Sequence, residues 1–171
     1  MISIKTNNEI ELMRVAGKIT AGALDEISKY IKPGISTEEL DIIAKKYIIN
    51  KGAKPAFLHH EGFPNTICAS INDVVAHGIP SKDTILEEGQ IISIDVGAKY
   101  RGYTGDAART FPVGKIDEDK QKLIRVTEEC FFEAIKNLKA GSRPVSTGFS
   151  LRSLLQKPWM VVICARSNSL R

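Results

Sequence analysis

The chain has 171 residues, 43% of them hydrophobic and 26% charged, with a formal net charge of +4. That is enough apolar material for a core and too balanced a composition for a disordered segment. The longest apolar runs, such as Met160 to Ala165, are far too short to span a bilayer. Residues 1–5 lack the apolar stretch and cleavage site of a signal peptide, so a cytoplasmic protein is expected.

The three cysteines, Cys68, Cys130 and Cys164, are odd in number and widely spaced, with no C-x-x-C pair. They argue against a disulfide framework or a zinc knuckle, and reduced thiols are expected. Charge is unevenly spread. Residues 142–171 hold Arg143, Arg152, Lys157, Arg166 and Arg171 and no Asp or Glu, while residues 1–141 are nearly neutral.

Along the chain, Ile10, Met13, Gly17, Leu24, Ile27 and Ile31 fall at helical spacing and predict a helix over 9–31, ended by Lys32-Pro33-Gly34. Ser36 and Glu39 form a capping box. The helix they start should run to Lys51, close at Gly52 and turn Leu40, Ile43, Ala44 and Tyr47 inward. From 53 to 114 short β-prone runs alternate with turn residues, giving candidate strands at 66–70, 74–77, 91–98 and 103–113. Asp117 should cap a third helix over 118–138, with Leu123, Val126, Cys130, Phe131 and Ile135 available to its buried side. After Gly141 no helical or strand period persists.

The strands at 91–98 and 103–113 form a hairpin. With Tyr100 and Arg101 at its tip, Asp95 pairs directly with Asp106. Alternation places Ser93, Asp95, Gly97, Thr104, Asp106 and Ala108 on one face and Ile92, Ile94 and Val96 on the other. Opposed like charges destabilise a strand pair, and a bound divalent metal resolves the conflict. Two carboxylates can bridge a pair of metals. The plainer alternative is two solvated aspartates. The small residues Gly97, Gly105 and Ala108 favour a site by leaving space above the sheet.

His77 ends a strand-like run before Gly78-Ile79-Pro80, where it either points into a cleft as a proton carrier or sits on the surface. His59, His60 and Glu61 read as loop polarity, because adjacent residues on an extended chain point apart. Cys68 reads as a small buried hydrophobe.

Four segments together resemble type I methionine aminopeptidases of the pita-bread fold, across roughly residues 3–141. They are Gly62-Phe63-Pro64-Asn65-Thr66-Ile67-Cys68-Ala69-Ser70-Ile71-Asn72, His77-Gly78-Ile79-Pro80, Ile94-Asp95-Val96-Gly97 and Gly102-Tyr103-Thr104-Gly105-Asp106-Ala107-Ala108-Arg109-Thr110-Phe111. The resemblance implies an α+β fold, the first half of a pita-bread domain, with a curved antiparallel sheet carrying helices on its outer face. It implies two divalent metal ions (Co, Mn, Fe, Zn or Ni) held in part by Asp95 and Asp106, with Asp106 bridging. His77 would contact the substrate peptide group near the scissile bond, and Phe57, His60, Phe63 and Cys68 would line the methionine pocket. His60 departs from the aromatic residue often found in that position. The implied activity is removal of the N-terminal methionine from peptides and nascent proteins.

The family's remaining ligands, one histidine and two glutamates, are not found downstream, since no histidine follows His77 and no glutamate follows Glu133. The expectation is a truncated and inactive chain, with 1–141 as the family domain and 142–171 as a divergent, frame-shifted tail. The DNA after codon 141 tests this, a neighbouring frame encoding Gly-His-Gly and later glutamates being the expected result. Half of the sheet should then be missing, leaving Ile92, Ile94 and Val96 incompletely covered. Two other readings are a non-catalytic pita-bread binding module, its basic tail contacting the phosphates of ribosomal RNA, and a prolidase or creatinase relative. No membrane and no specific nucleic acid is implied.

Overall fold

Helix α1 (Asn7–Ser28) begins at a capping box that the sequence reading missed. The Glu9 N–H donates to the Thr6 hydroxyl, and the Thr6 N–H donates to the Glu9 carboxylate at 2.7 Å, which starts the helix earlier than residue 9. In this computed structural model the described residues are 4–136. The buried stripe of α1 is Ala16, Ile19, Thr20, Ala23, Leu24 and Ile27, while Ile10 and Met13 stay exposed. The inward stripe is small because the helix lies very close to the sheet. A Cβ added to Gly105 would stand 2.7 Å from the backbone of Ala16 and Gly17. Leu24 and Ile27 are buried as expected, whereas Ile10 and Met13, chosen for their size, fall on a neighbouring face.

Helix α2 (Thr37–Asn50) starts at the Ser36–Glu39 capping box, as expected, and is capped at its end by Lys51. Leu40, Ala44 and Ile48 are buried together with Asp41, whereas Ile43 and Tyr47 are only half-buried. Asp41 is anchored by two bonds. Its Oδ1 accepts the N–H groups of Thr66 (2.7 Å) and Ile67 (2.9 Å), which ties α2 to the start of the next long strand.

Four antiparallel strands follow: β1 (Lys54–Pro55), β2 (Ile67–Ile71), β3 (Ile91–Tyr100) and β4 (Tyr103–Pro112). β4 pairs with β3 along its whole length, so β1 and β2 share the other edge of β3 end to end. Residues 74–77 are not a strand. Ala76 (φ 48°) and His77 (φ 52°) are left-handed, which no strand accommodates, and Val75 is 93% exposed. The hairpin tip is Arg101-Gly102, with φ of 47° and 92°, rather than Tyr100-Arg101. Two consecutive positive φ angles suit the right-handed twist of a two-residue hairpin, and glycine supplies one of them without strain.

The core of residues 4–115 lies between the sheet and α1 with α2. Ile92, Ile94 and Val96 are fully buried there among Leu24, Ile27, Leu40 and Ile48. The expected uncovered apolar face is therefore absent from these residues, because side chains of α1 and α2 share one core with that face of the sheet. From the same side, Tyr103 donates its hydroxyl to Glu9 at 2.7 Å and Arg109 pairs with Asp25 at 3.0 Å.

The chain divides into two compact units, Met1–Lys115 and Ile116–Arg171. In the second, α3 (Glu118–Lys136) is capped by Asp117, whose carboxylate accepts the Lys120 N–H at 2.8 Å. Its buried residues are Val126, Cys130 and Ala134, a single stripe at four-residue spacing. Phe131 (59% exposed) and Ile135 lie outside that stripe, contrary to expectation. The end of the expected helix and the segment 142–171 lie outside the described residues.

Candidate active site

Alternation along β3 sends Ile94 and Val96 to the helices and Asp95 to the opposite face. The Arg101-Gly102 turn shifts the hairpin register by two residues from the expected one. Asp95 therefore faces Ala108, and Asp106 faces Gly97. A shift of two preserves the face, so the two aspartates remain on one side of the sheet as diagonal neighbours.

Their charges still meet. Burial, then repulsion from Asp106 and a hydrogen bond with it, push the Asp95 carboxyl up to about 6, while nearby His77 and the Val96 N–H act the other way. Asp95 Oδ1 is buried and has no hydrogen-bond partner among the described residues. Cys68 lies directly across from Asp95 on β2, and burial beside the two aspartates pushes its thiol up to about 11. Farther along the same face, the Ser93 and Thr110 hydroxyls bond at 2.8 Å.

Three irregular segments build walls above this face. The first follows β1, where the Ala56 N–H donates to Gly97 O at 2.9 Å and draws residues 54–57 along β3. The Phe57 ring then packs where a Gly97 side chain would be, 2.8 Å from the place of its Cβ. Gly97 thus makes room for Phe57, while Gly105 serves the helix side. The expected space above the sheet is present at Gly97, where Phe57 fills it, and the same expectation for Gly105 is corrected, because that residue faces α1.

The second segment is the turn around His60–Gly62. Its bonds run from the His59 N–H to Phe63 O (2.8 Å) and from the Phe63 N–H to His60 O (2.9 Å). The chain here is folded back rather than extended, so the argument that neighbouring side chains must point apart does not apply. The third segment carries His77. Ala69 N–H donates to Gly78 O at 2.8 Å and Gly78 N–H donates to the Ser70 hydroxyl at 3.2 Å, which fastens the segment to the outer edge of β2.

Together these walls border an open cavity of about 600 Å³. All seven residues singled out from the sequence line it: Phe57, His60, Phe63, Cys68, His77, Asp95 and Asp106. Glu61 and Ile79 line it as well and were missed. The signal for Glu61 was the glycine after it, which marks a tight turn rather than an extended loop. Asp95 and Asp106 stand against an apolar wall of Phe57, Phe63, Pro64 and Ile79, a combination that suits an apolar side chain held beside a polar reaction centre. A second hollow, of about 470 Å³, lies by Tyr30, Ile42 and Lys46, and its one acid, Glu39, is engaged in the α2 cap.

The donor chemistry of the pair fits a hard divalent cation, since carboxylate oxygens suit such ions and Asp95 Oδ1 lacks any other partner. Among the described residues no group of three or more His, Cys, Asp or Glu side chains is arranged to hold a metal ion, so no third such side chain is placed with the two aspartates.

A model of metallopeptidase family M24 matches residues 11–163. The chain is 47% identical over 156 residues to a methionine aminopeptidase of Clostridium acetobutylicum, covering 91% of this chain and 62% of that protein. It superposes on the crystal structure of methionine aminopeptidase from Rickettsia prowazekii with a TM-score of 0.88 at 36% identity, over 91% of this chain and 62% of that one. On the prolidase from Pyrococcus furiosus the TM-score is 0.80 at 26% identity, over 90% of this chain and 44% of that one. The chain thus spans less than two thirds of the length of these relatives. The family match covers most of the chain and the superpositions share its pita-bread fold, so the chain belongs to metallopeptidase family M24.

Proposed function

We propose that the protein to which this chain belongs is a cytoplasmic methionyl aminopeptidase, acting on the N-terminal methionine of peptides and nascent proteins. The observation that carries this reading is the single cavity in which the Asp95–Asp106 pair meets an apolar wall beside His77. Identity favours it over a prolidase-type activity, at 36% against 26% for the two solved structures.

Asp95 and Asp106 would supply part of the ligand set for two divalent metals, which when bound supply an activated water and polarise the scissile carbonyl. His77 would donate or accept a hydrogen bond at the substrate peptide group. Phe57, Phe63 and Cys68 would surround the methionine side chain and exclude water from it. With its thiol pushed up to about 11, Cys68 stays neutral at pH 7 and adds no charge to that wall. His60 would give the same wall a polar edge.

We further propose that the 171-residue chain turns over little substrate alone, since no histidine follows His77 and no glutamate follows Glu133. Titration with Mn²⁺ followed by incubation with Met-Gly-Met tests both points. Weak Mn²⁺ binding, lost in Asp95→Asn and Asp106→Asn, and no release of methionine are expected. Robust methionine release would refute the inactivity, and Mn²⁺ binding that survives both substitutions would refute the ligand assignment.

A further inference from the structure

Among the described residues the cavity walls carry three carboxylates, Glu61, Asp95 and Asp106, and no lysine or arginine. Asp95 and Asp106 are occupied with one another on the sheet. Glu61 stands apart, on the exposed turn His60–Gly62. Among the described residues its carboxylate has no ion-pair or hydrogen-bond partner.

The backbone beneath Glu61 is held in an uncommon conformation. Its φ is 48° and that of His59 is 67°, a region that non-glycine residues seldom occupy and that recurs at ligand sites. The bonds between His59 and Phe63, together with His60 N–H to Phe57 O at 2.9 Å, keep the turn closed. The same turn supplies Phe63 to the apolar wall, so its shape sets that wall and the charge beside it together.

We infer that Glu61 is a specificity-determining residue, favouring peptides with a lysine or arginine shortly after the first residue and disfavouring aspartate or glutamate there. This rests on the pocket being the binding site for a peptide amino terminus. The apolar wall takes the first side chain, so what reaches the exposed turn is the chain that follows it. An unpaired carboxylate at the edge of a low-dielectric cleft attracts a cation and repels an anion. Had Glu61 been a solvated loop charge only, its substitution would change no preference between peptides.

The test is calorimetric titration of the full 171-residue chain with Met-Gly-Lys amide and Met-Gly-Glu amide. The unaltered chain should bind the lysine peptide roughly two- to fivefold more tightly, the range expected of a single exposed charge pair. That ratio should shrink as salt is raised. Glu61→Gln should bring it towards one, and Glu61→Lys should invert it. Should Glu61→Lys fail to fold, judged by its helical circular dichroism, the Glu61→Gln ratio decides alone. Equal affinity for the two peptides, or a ratio unchanged in Glu61→Gln, overturns the inference and leaves the pocket assignment standing. Binding of neither peptide to the unaltered chain overturns the pocket assignment and the inference with it.

Discussion

Asp95 shows how one residue can oppose the fold that carries it. Its carboxyl lies up at about 6 in the folded chain against an ordinary value of 3.8, chiefly through burial and then through Asp106. The folded state therefore holds this proton more tightly than the unfolded state does. The stability it contributes is fully present below about pH 3.8 and is lost as pH rises through about 6. Asp95→Asn in chelator-treated protein should accordingly raise stability at pH 7 by about 1–2 kcal/mol, a figure reduced for partial solvent screening. It should also flatten the profile between pH 4 and 6. Urea midpoints across that range measure both effects, and an Asn variant no more stable at pH 7 would show that the buried charge is already neutralised. That Asp95 and Asp106 share a face was legible from their odd spacing across a hairpin, because side chains alternate strictly. That they sit diagonally was not, since it turns on whether Arg101 or Tyr100 opens the turn.

At the scale of elements, the site depends on how α2 grips the sheet. Asp41 is buried in the helix and accepts the Thr66 and Ile67 N–H groups, so it fixes where β2 begins and hence where Cys68 stands opposite Asp95. Asp41→Ala leaves two buried donors unpaired and should cost about 2–4 kcal/mol. Asp41→Asn, which keeps an acceptor, should recover part of that loss. Equilibrium denaturation of the two variants checks the ordering, and equal stability of Ala and Asn would count against the anchoring role. Nothing in the helical pattern marks Asp41 as buried, since an aspartate among Glu38, Glu39 and Lys45 reads as part of a solvated face. The Ser36–Glu39 cap, by contrast, was fully legible, because a capping box is satisfied within four residues.

For the whole of residues 4–115, one core joins both helices to the sheet. Ile94 is fully buried at its centre, opposite Ala69 on β2 and Arg109 on β4. Ile94→Ala should lower stability by about 2–5 kcal/mol through lost burial and the cavity left behind. A urea titration should report it as a lower midpoint with an unchanged slope. A cost below 1 kcal/mol would mean that the β3 face is not packed as described. This face was expected to be partly bare because strands beyond β4 are missing from the sequence. The close approach of α1 at Gly105 could not be weighed without the packed structure.

Local and periodic features are readable from the order of residues alone: two of the caps, the strands β2, β3 and β4, the common face of Asp95 and Asp106, and the family likeness carried by short motifs. Each of these depends on residues within a few positions or on strict alternation, which the order of residues states directly. The hairpin register, the small-residue stripe of α1, the buried role of Asp41, the loop at 74–77 where a strand was expected, and the use of 60–64, His77 and Ile79 as pocket walls came from packing instead. Those depend on hydrogen bonds between segments far apart in the chain, such as Ala69 N–H to Gly78 O and Ala56 N–H to Gly97 O, and on left-handed backbone at His59, Glu61, Ala76 and His77. Side-chain type does not encode such conformations, because the surrounding fold imposes them.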